Sequence, residues 1–225
     1  MPERRPCYAC SKADAAVGSP PSSGNGCARC RKSTSWTRST RRPAGRPSRT
    51  LFSTSAPSGR RGTNGAAMRV LPVGWAVPVS RPDLRRRHAV ALARATHTDE
   101  ESIAAACVMA ALSAWSVESV RLDAVLDAGR EEAEWALGQF TGAAGVREFL
   151  DALDGRWRPP VEGIGLAAGE TIAAVAHVLA EAAAGETLSD ALLRAVLLGG
   201  DTDTVAALAG GILGGQAPEA ATDLP

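Results

Sequence analysis

The chain changes character at Thr63, and only the residues from Thr63 onward have the makings of a core. Residues 1–62 hold 13 Lys+Arg against 2 Asp+Glu, a net +11, whereas the remainder holds 12 against 22, a net −10. The overall charge of +1 conceals this split. The first segment is rich in Arg, Ser, Pro, Gly and Thr and poor in large apolar residues. Such a segment cannot bury enough surface to offset its chain entropy. The reading is therefore a basic, disordered tail over 1–62, a folded domain over 63–215 and a disordered C-terminus over 216–225. The tail's bias, with its scattered Cys and Trp, is also what an alternate reading frame of a GC-rich gene produces. A frame-disrupted or truncated product is the second reading of that segment.

The domain reads as helical throughout. Pro72 and Pro78 limit the apolar stretch Val70 to Val79 to short elements. Ser80-Arg81-Pro82-Asp83 starts a helix that runs to Ala95, with Pro early and an acid in the first turn. Thr98 and Glu101 form a capping-box pattern for a helix from Asp99 to Trp115. Cys107 falls on its apolar stripe and reads as a small core residue. A third helix covers Val117 to Leu137. In it Val120, Leu122, Val125 and Leu126 face inward, and Arg121, Asp123, Glu131 and Glu132 face outward. Val146 to Leu153, Glu170 to Ala184, Leu188 to Leu198 and Thr204 to Leu213 complete the set. No segment alternates with a period of two. Small Ala and Gly residues dominate and no heptad persists, so the architecture is an all-α, compact orthogonal bundle and not a coiled coil.

The string Gly199-Gly200-Asp201-Thr202-Asp203-Thr204 places two carboxylates and two hydroxyls in four residues at the mouth of a helix. Paired Gly lets the backbone turn tightly before them. Hard oxygens crowded together suit a hard divalent cation such as Mg²⁺. Acids at that place also complement the positive end of a helix with no ligand at all. An EF-hand loop is excluded, because it needs Gly and Glu where this chain has Ala206 and Ile212.

The whole string, followed by Ala206-Ala207 and Gly210, resembles the C-terminal signature of the ADP-ribosylglycohydrolase family. Two more segments resemble that family in matching order: Asn64-Gly65-Ala66-Ala67-Met68-Arg69, and Thr96-His97 followed by Asp99. The Gly163-Ile164-Gly165 turn before Glu170 is similar but less specific. The motifs span residues 62–215. The resemblance implies a compact all-α fold and hydrolysis of the glycosidic bond between ADP-ribose and a protein side chain or small acceptor. It also implies a pair of Mg²⁺ ions, with Asp201, Asp203 and Thr204 among the ligands, Asp203 bridging, and Thr202 in support. His97 matches a residue beside bound ADP-ribose. Asn64 joins it as a substrate-binding candidate. The Asn64–Ala67 loop lacks bulk, so the N–H groups of Gly65 and Ala66 can approach a pyrophosphate. Arg69 reads as structural, paired with an acid, and His88 and His177 read as structural.

One departure matters. The family's N-terminal Thr-Asp-Asp step, which completes the metal pair and supplies the main catalytic carboxylate, occurs nowhere in this sequence. No catalytic residue is assigned for that reason, the second Mg²⁺ is in doubt, and the expected enzyme is impaired. The alternatives are a non-catalytic ADP-ribose-binding remnant and a zinc- and nucleic-acid-binding tail on a degenerate domain.

The tail carries Cys7, Cys10, Cys27 and Cys30 in two Cys-x-x-Cys pairs, the spacing of a four-thiolate zinc site. Between the pairs only Val17 is large and apolar, too little to pack around a metal. The expectation is no stoichiometric zinc and only salt-sensitive, sequence-blind attraction to nucleic acid. No apolar run reaches membrane-spanning length and no secretory leader is recognisable, so the expected setting is a cytoplasmic monomer acting on ADP-ribosylated substrates, away from membranes.

Overall fold

A computed structural model describes residues 62–119 and 121–218. All of these lie in the second of two units into which the chain divides, Ser53–Pro225. The tail and its four cysteines lie outside the described residues.

Nine helices occur among the described residues: α1 (Gly65–Met68), α2 (Leu71–Ala76), α3 (Pro82–Arg94), α4 (Glu100–Glu118), α5 (Leu122–Gln139), α6 (Val146–Leu153), α7 (Ala168–Ala183), α8 (Leu188–Leu197) and α9 (Thr202–Gln216). No strand forms among them, only two isolated bridges. The all-α reading stands.

The fold is organised around α4. It is buried on almost every side, from Ser102 to Ala114 and again at Ser116. A helix that is apolar all round belongs in a core, and its Ala, Ser and Cys side chains let neighbours approach closely. Helices α1, α2, α3, α5, α7 and α9 all pack on it. α2 comes so near that a Cβ on Gly74 would sit 2.5 Å from the Ala110 carbonyl. Contrary to the expectation from apolar runs, α4 is long and apolar enough to cross a membrane by length and composition. Its burial, 78% of the window, marks it as a core helix of this fold.

Three sequence expectations change in detail. The cap of α4 is Asp99, not Thr98: its carboxylate accepts the Ser102 N–H at 2.7 Å. Glu101 is therefore not the second half of a capping box and instead accepts the Gly169 N–H at 3.2 Å. The helix expected from Val117 begins only at Leu122, because Ser119 and Arg121 are extended. Glu132, expected to face water, is 3% exposed. It accepts hydrogen bonds from Arg85 at 3.2 Å and from Arg86 at 2.8 and 3.1 Å. Two guanidinium groups on α3 thus draw an α5 carboxylate into the interior.

Candidate active site

The site is built where three loop segments are joined by two isolated bridges. The Ile164 N–H donates to Gly199 O at 2.9 Å, and the Asp201 N–H donates back to Ile164 O at 2.8 Å. On the other side, the Asn64 N–H donates to Leu166 O at 3.0 Å and the Ala168 N–H to Gly62 O at 2.8 Å. The 163–167 loop is itself held by Glu170, whose carboxylate accepts the Gly165 N–H at 2.7 Å. Residues 62–64, 163–168 and 199–201 thereby set the starts of α1, α7 and α9 around one point.

The paired glycines make this junction possible. Gly199 and Gly200 both take φ of 73°, in the left-handed region. A Cβ on Gly200 would stand 2.1 Å from the Ile164 carbonyl oxygen. No side chain fits there without opening the bridge between the loops.

At the junction Asp201 is surrounded by donors. The Asn64 amide nitrogen donates to Asp201 Oδ2 at 2.6 Å, and the Thr204 hydroxyl donates to Asp201 Oδ1 at 3.0 Å. The same Asn64 nitrogen donates to Thr171 Oγ1 at 3.0 Å, and the Thr171 hydroxyl donates to the Ala167 carbonyl at 3.0 Å. Asn64 and Thr204 are buried, with 5% and 4% exposure, and Asp201 is half-buried. Asp203 is exposed in the first turn of α9 and has no hydrogen bond or ion pair among the described residues.

His97 lies against this centre from the other side. Its Cε1 would be 3.2 Å from a Cβ on Gly65. Its Nε2 is 2.9 Å from Thr63 Oγ1, and its Nδ1 is 2.8 Å from Thr96 Oγ1 and 3.4 Å from Arg69 Nη2. Arg69 also donates to Gly65 O at 2.9 Å and to Thr96 Oγ1. Arg69 therefore ties α1 to the His97 turn through a carbonyl and a hydroxyl, not through the acid expected from sequence.

The structure thus brings together Asn64, Gly65, His97, Asp201 and Thr204, with Asp203 at the open edge. Ala66 is 1% exposed as a whole residue, so of the two expected backbone contacts only Gly65, half-buried at the start of α1, is open to a ligand. Both N–H groups of Asn64 are used inside the protein, which leaves its Oδ1 for any ligand. Sequence reasoning missed Thr171, which no motif marks although it stands one residue after Glu170.

A family model, ADP-ribosylglycohydrolase, matches residues 10–221. The chain belongs to the ADP-ribosylglycohydrolase family. The match reaches well N-terminal of the 62–215 span delimited by the motifs. No curated protein matches the chain. Membership makes this ADP-ribosylglycohydrolase relative a hydrolase of ADP-ribosyl linkages by family, and the family is generally metal-dependent.

Its described residues contain no group of three or more His, Cys, Asp or Glu side chains close enough to hold a metal ion. The chemistry of the donors nevertheless fits Mg²⁺. Asp201 spends one lone pair of each oxygen on Asn64 and Thr204 and keeps others. Asp203 offers a free carboxylate, and Thr204 a hydroxyl oxygen. Mg²⁺ is commonly held by one or two carboxylates with water and substrate filling the remaining positions.

Proposed function

We propose that this polypeptide binds ADP-ribosylated proteins or small ADP-ribosyl compounds and hydrolyses the glycosidic bond slowly, with Mg²⁺ held by Asp201, Asp203 and Thr204. The observation that carries this reading is the network of Asn64, Asp201 and Thr204, three residues from two separated family motifs meeting at one carboxylate. A bound Mg²⁺ supplies positive charge to orient ribose hydroxyls and water. Asn64 and Thr204 keep both oxygens of Asp201 aimed. Asp203, at the open edge, is the carboxylate nearest to an incoming substrate. The N–H of Gly65 belongs to the first turn of α1, where it has no intrahelical partner, and it takes the pyrophosphate, with Ala66 buried behind it. His97 lies beside Gly65 and is the side chain placed to contact the substrate there.

Slow turnover is expected from the donor set. Two carboxylates and one hydroxyl hold a strongly hydrated ion weakly, and no Thr-Asp-Asp step is present to supply more. The test is release of ADP-ribose from ADP-ribosylated arginine, serine and small ADP-ribosyl compounds, with Mg²⁺ and with chelator. Slow release that needs Mg²⁺ and disappears in Asp203→Ala supports the reading. Rapid Mg²⁺-dependent release abolished by the same change means that the tail supplies the missing ligands. Release indifferent to chelator sinks the metal assignment. The scarcity of carboxylates favours a second reading, a non-catalytic ADP-ribose binder, which calorimetry identifies as ADP-ribose affinity without any turnover. The setting we propose is a cytoplasmic monomer.

A further inference from the structure

We infer that Thr171 is a positioning residue for the Asp201 carboxylate, acting through Asn64; this rests on the metal-site reading proposed above. The Thr171 hydroxyl has one proton, and it is committed to Ala167 O at 3.0 Å. Its oxygen therefore presents only lone pairs toward Asn64, 3.0 Å away. An acceptor at that place, together with Asp201 Oδ2, selects the NH₂ end of the Asn64 amide, because the oxygen end would meet lone pairs at both. With NH₂ turned inward, the same nitrogen reaches Asp201 Oδ2 at 2.6 Å. The chain of bonds runs in one sense: Asn64 donates to Thr171, which donates to Ala167.

Burial makes the chain stiff. Thr171 is 0% exposed and Asn64 5%, so water cannot substitute for either partner. Ala167 is also the residue bridged to Thr63 across the loop junction. The carbonyl that orients Thr171 is thus fixed by the same junction that sets Asn64. Without the Thr171 oxygen, only Asp201 Oδ2 still selects the NH₂ end, one Asn64 N–H is left without a buried partner, and the amide's hold on Asp201 loosens. Outer partners of this kind commonly change metal affinity by about 10–100-fold when removed.

The experiment compares Thr171→Val, which keeps the shape and removes the hydroxyl, with Thr171→Ser, which keeps the hydroxyl. Two quantities are read on the full chain. The first is exchange of the Asn64 side-chain amide protons with water by NMR, with no metal present. The second is affinity for Mn²⁺ by electron paramagnetic resonance, with Mn²⁺ as the probe ion. Thr171→Val is expected to speed amide exchange and weaken Mn²⁺ about 10-fold or more, and Thr171→Ser to restore both to within about 3-fold of the parent. A parent that binds Mn²⁺ and a Val variant that binds it equally, with unchanged exchange, overturns the inference and leaves the metal site standing. Equal losses in Val and Ser also overturn it, because they show a packing defect. A parent that binds no Mn²⁺ overturns the metal reading itself, while amide exchange still decides whether Thr171 holds Asn64.

Discussion

Two polar networks in this domain are built around a single carboxylate, and they use it in opposite ways. At the mouth of α9, Asp201 is met by neutral donors, Asn64 and Thr204, and opens toward the exposed Asp203. Between α3 and α5, Glu132 is met by two guanidinium groups, Arg85 and Arg86, and is sealed in. Arg86 also lies over the Trp135 ring at 4.0 Å, and Trp135 meets Phe140 edge-on at 6.0 Å. Nε and Nη1 of Arg85 are buried with no acceptor. Neutral donors orient a carboxylate without cancelling its charge, so that charge remains available to a ligand. Paired cations cancel it, and the carboxylate becomes a clamp between helices. The first network is suited to chemistry and the second to holding α3 on α5.

The contrast is most easily broken at the clamp. Glu132→Gln keeps the volume and removes the charge, leaving two buried or half-buried cations without a counterion. Removing one partner of a buried ion pair costs about 3–5 kcal/mol. The expected result is a loss of that size in urea denaturation, with ADP-ribose binding intact in the folded fraction. A loss below about 1 kcal/mol would mean that the cluster behaves as a surface pair and that the contrast with Asp201 is mistaken.

Gly200→Ala attacks the other network through its backbone. At φ of 73° an alanine is strained, and its Cβ meets the Ile164 oxygen at 2.1 Å. Strain of this kind costs about 1–3 kcal/mol, and the clash adds to it. Unlike Glu132→Gln, this change should also weaken Mn²⁺ binding, because Asp201 is anchored to Ile164 O by its own N–H. Stability lost without any loss of metal affinity would separate the bridge from the site.

The two networks also differ in how far the sequence announces them. Local signals carried the helices: Val146–Leu153 has the expected bounds, and Gly199-Gly200 ends α8 as two left-handed glycines should. Motif residues also met in space, since Asn64, His97 and Asp201 converge on one junction. The misses are decided by tertiary packing. Glu132 was placed outward because charge on a helix usually faces water, and its partners lie 46 and 47 positions away. Thr171 went unseen because a threonine early in a helix has no meaning until Asn64, 107 positions away, is packed against it. Thr98 lost the cap to Asp99 because the carboxylate reaches the Ser102 N–H, a choice of one residue that tertiary geometry decides.

Cys107 gives a smaller test of the sealed region. Burial pushes its thiol up to about 12 from 9.0, and the nearby Glu132 adds to the rise. The unfolded chain releases this proton above about pH 9, whereas the folded chain keeps it until about 12. This contribution to stability is therefore complete below pH 9 and is lost as pH rises through that window. The slope is at most about 1.4 kcal/mol per pH unit. Urea denaturation at pH 8 and pH 10 should show an alkaline loss that shrinks in Cys107→Ala. An identical loss in the variant would assign it to other groups.

The smallest effect on stability should come from the residue with the largest effect on function. Asp203 is exposed and has no partner among the described residues, so Asp203→Ala removes little packing. It does remove an acid from the first turn of α9, where a negative charge is favourable by about 0.3–1 kcal/mol. The expected change in urea denaturation is within that range. Mn²⁺ affinity and Mg²⁺-dependent ADP-ribose release should nevertheless collapse, because half of the carboxylate charge at the site is gone while Asp201 keeps its donors. This pairing of a small structural and a large functional effect is what an open network predicts and a clamp forbids. Should Asp203→Ala unfold the domain by several kcal/mol, the carboxylate would be structural. The mouth of α9 would then be a second clamp and no site for a metal.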